Sequence, residues 1–82
     1  MADRVLHLPC DTALRLHHYA TPGSVAYQAL DEGLRSRDPE GDCVVTCDSA
    51  CVEELLDIAA THSPRDGPIV AAAYAKSTPK KP

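Results

Sequence analysis

The sequence predicts a two-layer α+β domain, and three observations carry that prediction. Two segments repeat apolar residues at helical spacing. A short uncharged run, Cys43-Val44-Val45-Thr46-Cys47, is of strand-favouring type. Turn clusters rich in Pro, Gly and Asp separate these segments. The competing class is all-α, because two of the expected strands have compositions that a helix also accepts.

Taken in order, Arg4-Val5-Leu6-His7-Leu8 is a short apolar run closed by Pro9, and it predicts a first strand over 4–8. Residues 13–20 alternate in part, with Leu14, Leu16 and His18 on one side, which predicts a second strand and a hairpin. A helix at 11–19 capped by Asp11 is the alternative. Thr21-Pro22 is a helix-start signal, and Val25, Tyr27, Leu30 and Leu34 follow at near-helical spacing. The first amphipathic helix is therefore expected over about 22–37. Asp31 and Arg35 fall at i,i+4 on its outer face.

The 43–47 run predicts a strand covered on both faces. Asp48 then reads as a helix cap. Val52, Leu55, Leu56, Ala59, Ala60 and Ser63 recur along one face of a second amphipathic helix over 49–62. Glu53, Glu54 and Asp57 occupy its wet face. Residues 69–75 are alanine-rich, which favours helix. Their position after a strand and a helix favours a third crossover strand, and the reading adopted is strand. Residues 1–76 form one domain, with 77–82 as a disordered tail.

Eighty-two residues bury a thin core, about 60–65% of the surface exposed on unfolding. There is no Trp or Phe, so Val, Leu, Ile and Ala must build it. Such a domain gains from a partner or from a homodimer. No apolar run reaches the length of a membrane span. The N-terminus lacks the pattern of an export leader, which predicts a cytoplasmic location and four free cysteine thiols.

Charge is unevenly placed. All three lysines, Lys76, Lys80 and Lys81, lie in the last seven residues. Residues 1–75 carry five Arg against twelve Asp and Glu, a formal charge of −7. Such a body repels phosphate backbones, which argues against direct nucleic-acid binding. Asp38, Glu40, Asp42, Glu53, Glu54 and Asp57 are the candidate docking surface for a basic protein partner.

Cysteine is the other unusual feature. His7 and Cys10, with Cys47 and Cys51, are nominally two close pairs of the kind zinc takes. The competing reading is that Cys43, Cys47 and Cys51 pack as small apolar residues. Cys43 and Cys47 are about 13 Å apart if extended, too far for a disulfide. Cys47 and Cys51, across the strand-to-helix turn, are geometrically feasible partners, but a reducing compartment opposes the bond. Cys51 in the first turn of a helix could act as a nucleophile with His17, His18 or His62, but Glu53 and Glu54 oppose its thiolate. Thr46-Cys47-Asp48-Ser49 lies where anions often bind, yet ordinary capping by Asp48 accounts for it. No glycine-rich phosphate loop is present. The expected function is accordingly a non-enzymatic binding or regulatory protein without a cofactor. A small zinc-binding domain is the alternative, followed by a cysteine- or histidine-dependent enzyme.

Overall fold

The computed structural model describes residues 3–79. Its elements run β1 (Arg4–Leu8), α1 (Cys10–Tyr19), α2 (Val25–Arg35), β2 (Cys43–Cys47), α3 (Ser49–His62), a 3-10 turn (Pro64–Asp66), α4 (Gly67–Ala75) and β3 (Thr78–Pro79). The fold is α+β. The sheet is antiparallel throughout, in the order β2-β1-β3.

Alternation along the strands sets the layers. Leu6 and Leu8 of β1 and Cys43, Val45 and Cys47 of β2 are buried. They are paired across the strands as Leu6 with Val45 and Leu8 with Cys43. The intervening residues Val5, His7, Val44 and Thr46 are half-buried or exposed. One face of the sheet therefore meets the helices and the other faces water, as expected when side chains alternate with period two. The expectation that 43–47 is covered on both faces is corrected on this point.

Residues 13–20 are helical rather than extended. Thr12, Ala13, Leu16 and Ala20 are buried, whereas Leu14 is 53% exposed. Burial thus follows a four-residue step, and the partial alternation of Leu14, Leu16 and His18 has no structural counterpart. Pro9 rather than Asp11 precedes the helix, and Asp11 lies in its first turn.

The first amphipathic helix begins three residues later than its Thr-Pro signal. Gly23 takes φ +88°, which interrupts the chain, and Ser24 then caps α2 by accepting from the Tyr27 amide. Its inner face is Ala26, Ala29, Leu30 and Gly33, not the bulkier Val25 and Tyr27. Small residues let α2 lie close on β2: a Cβ added at Gly33 would sit 2.6 Å from Val45 Cγ2. The Asp31–Arg35 pair is formed, at 2.7 Å.

The second amphipathic helix lies where its periodicity puts it, with Asp48 accepting from the Cys51 amide. Val52, Leu55 and Ala59 are buried, while Leu56 is half-buried and Ala60 exposed. Residues 69–75 form a helix, so the expected crossover strand is corrected. Pro68 sits in the first turn of α4, where its missing N–H costs nothing, and alanine propensity decides the rest. The third strand lies beyond it. Thr78 pairs with Val5 and Pro79 with Arg4, and Arg4 also donates to the Ser77 hydroxyl and carbonyl. Ser77–Pro79, assigned to the tail by sequence, thus lie against the sheet. Lys80–Pro82, and Met1 and Ala2 at the other end, are outside the described residues. No described helix is long and apolar enough to cross a membrane.

Candidate functional site

The acidic residues singled out by sequence divide into structural and free groups. Asp38 organises the turn before β2. Its Oδ1 accepts from the Glu40 and Asp42 amides, each at 2.9 Å, and its Oδ2 lies 2.7 Å from His7 Nδ1. Partial burial opposes ionisation, but the His7 and amide hydrogen bonds outweigh it and hold this carboxyl below its ordinary value. Glu40 and Asp42 border a depression of about 360 Å³ with His7, Asp38 and Pro39.

Glu54 is corrected from the wet face to a half-buried position, where its Oε2 accepts from the Ala26 amide at 3.4 Å. That amide is one of the orphan donors at the start of α2, so Glu54 satisfies a helix end from a neighbouring helix. Glu53 and Asp57 are exposed as expected.

A second set of carboxylates, Asp3, Glu32 and Asp48, borders another concavity. One face of α2, Val25, Gln28, Ala29 and Glu32, borders a cleft of about 190 Å³. The end of β2 and the start of α3 close it through Thr46, Cys47, Asp48 and Cys51, and Asp3 completes the rim. Asp3, Glu32 and Asp48 have no cationic group within ion-pair distance among the described residues. Val25, 60% exposed, supplies apolar surface at the rim. The signal available in sequence was the i, i+7 relation of Val25 and Glu32. Nothing local connects either to Asp3 or Asp48.

The proposed zinc quartet is not brought together. Cys47 and Cys51 are joined as a disulfide, with Cα atoms 5.3 Å apart, which corrects the expectation of four free thiols. Cys10 lies at the other end of β2, donating to the Gly41 carbonyl and 3.6 Å from Cys43 Sγ. His7 pairs with Val44, three residues from Cys47 along the strand, a separation of about 10 Å. Among the described residues no group of three or more His, Cys, Asp or Glu is placed to hold a metal ion.

The three histidines weighed with Cys51 are engaged with aromatic side chains, His18 edge-on to Tyr19. His17 stacks on Tyr27 with ring centroids 4.4 Å apart, and His62 stacks on Tyr19 at 4.5 Å. His62 and Tyr19 border a separate depression with Arg15, Ser63, Pro64 and Arg65. Asp48 occupies the start of α3 with its own carboxylate, so the strand-to-helix turn is capped from within rather than open to an anion. No family model, no curated protein and no solved structure matches the chain.

Proposed function

We propose that this chain is a non-enzymatic binding module that docks a basic segment of a protein partner in the cleft between α2, the end of β2 and the start of α3. The observation that carries the reading is that Asp3, Glu32 and Asp48 line one concavity and have no ion-pair partner among the described residues. A cleft of about 190 Å³ suits one Lys or Arg side chain. Its aliphatic stem would lie on Val25 and Ala29, and its charged head would meet the carboxylates. Exposed Glu53, on the next turn of α3, and Asp57 extend the negative field and would speed encounter with a cationic partner. The Cys47–Cys51 disulfide ties up the sulfur that the competing cysteine-dependent reading needs as a thiolate nucleophile.

A fluorescent Lys/Arg-rich peptide, titrated against the full chain at low and high salt, tests the reading. Binding is expected at low salt and should weaken as salt rises. Glu32→Gln with Asp48→Asn should weaken it about tenfold, and Asn keeps the capping acceptor at position 48. Sedimentation velocity in the same buffers separates peptide binding from self-association. Equal affinity for wild type and the double variant would remove the cleft from the mechanism.

A further inference from the structure

We infer that Cys10 and Cys43 are a redox modification site, closing to a second disulfide that fastens the start of α1 to the start of β2. The two sulfurs lie 3.6 Å apart, brought together from positions 33 residues apart in the chain. Cys43 donates to Cys10, and Cys10 donates in turn to the Gly41 carbonyl at 2.9 Å. The Cys43 sulfur is thus already in contact with the sulfur it would bond. Moving from this contact to a bond of about 2.05 Å takes a shift of about 1.5 Å, within reach of side-chain rotation.

Exposure orders the chemistry. Cys10 is half-buried and Cys43 fully buried, so an oxidant meets Cys10 first. A peroxide converts the Cys10 thiol to a sulfenic acid and leaves as water. The Cys43 sulfur then attacks the Cys10 sulfur, the S–O bond breaks, and a second water departs with the Cys43 proton. Two thiols lose two protons and two electrons, and one peroxide becomes two waters. Competing intramolecular pairs are remote: Cys47 and Cys51 are joined to each other, and Cys43 and Cys47 are at opposite ends of one strand, about 13 Å apart. With both bonds in place, β2 is fastened at its two ends to two different helices.

The test uses the full chain, reduced and then treated with dilute hydrogen peroxide or oxidised glutathione. Remaining thiols are alkylated, and the protein is digested and mapped by mass spectrometry. A Cys10–Cys43 linked peptide is expected, with a rise in Tm of about 10 °C over a Cys10→Ser variant treated identically. In that variant Cys43 should stay alkylatable only after unfolding. Recovery of both Cys10 and Cys43 as alkylated thiols after oxidation of folded protein would overturn the proposal. So would linkage of either residue to Cys47 or Cys51, or accumulation of Cys10 sulfinic acid without a crosslink.

Discussion

Arg15 of α1 grips Asp66 with two parallel hydrogen bonds, Nε to Oδ2 and Nη2 to Oδ1, each 2.8 Å. Asp66 is fully buried, and its remaining capacity is taken by the hydroxyls of Thr12 and Ser63. One carboxylate therefore joins α1 to the turn that leads into α4. The Arg15 hydrogen bond, aided by Ser63 and Thr12 and outweighing burial, holds the Asp66 carboxyl far below the usual range.

Replacing Asp66 by Asn should destabilise the domain by about 3 kcal/mol, because it leaves the Arg15 guanidinium and two hydroxyls facing an amide. The pH dependence follows from the sign of the shift. A carboxyl whose folded value is depressed adds stability that is fully present above its unfolded value, near 3.9. That stability is lost as pH falls below it toward the folded value. Wild type should lose stability steeply below about pH 4, and Asp66→Asn should show a shallower slope there. Chemical denaturation at a series of pH values measures both. Equal slopes would mean that Asp66 is not ionised in the folded state.

Glu53 and Glu54 are neighbours in sequence with different work to do. Glu54 reaches the Ala26 amide at the start of α2, whereas Glu53 is exposed. Glu54→Ala should cost about 1 kcal/mol through loss of a cap-like acceptor near the positive end of α2. Glu53→Ala should change stability by less than about 0.5 kcal/mol. Thermal unfolding of the two single variants checks this, and equal shifts would contradict the Glu54 contact.

The elements with a long, one-sided pattern were legible. The Val52, Leu55, Ala59 stripe needs nothing beyond helical spacing, and Asp48 before it is an ordinary cap. Residues 13–20 were not legible, because a short window of alternating Leu and His fits either period. What decides it is distant: Thr12 meets Asp66, 54 residues away, and this places α1 with Leu14 outward. In α4 the alanine run favours helix and its position after a strand and a helix favours strand, and local propensity prevails. The third strand lies in Thr78–Pro79, a two-residue pairing too short to leave any periodicity. The acidic cleft was hidden for a related reason. Asp3, Glu32 and Asp48 come from three separate segments, whereas sequence reading gathers charges that are near one another in the chain. Two carboxylates gathered in that way, Asp38 and Glu54, are engaged within the fold.

Gly33 offers a test of how α2 sits on the sheet. In an exposed helix interior, Gly→Ala stabilises by up to about 1 kcal/mol, since alanine has the higher helix propensity. Here the added Cβ would lie 2.6 Å from Val45 Cγ2 and 3.1 Å from the Val44 carbonyl oxygen. Val45 is fully buried and its methyl has little room to retreat, and the carbonyl belongs to the strand itself. The steric term should win, and Gly33→Ala should destabilise by about 1–3 kcal/mol. Val45→Ala alone should also destabilise, by about 1–3 kcal/mol, through lost burial. In the double variant the missing methyls make room for the new Cβ, so the combined loss should fall short of the summed single losses by about 1 kcal/mol. Denaturant unfolding of the four proteins in this cycle gives the coupling directly. Strict additivity, or a Gly33→Ala variant more stable than wild type, would mean that α2 does not approach β2 at Gly33 as closely as the structure places it.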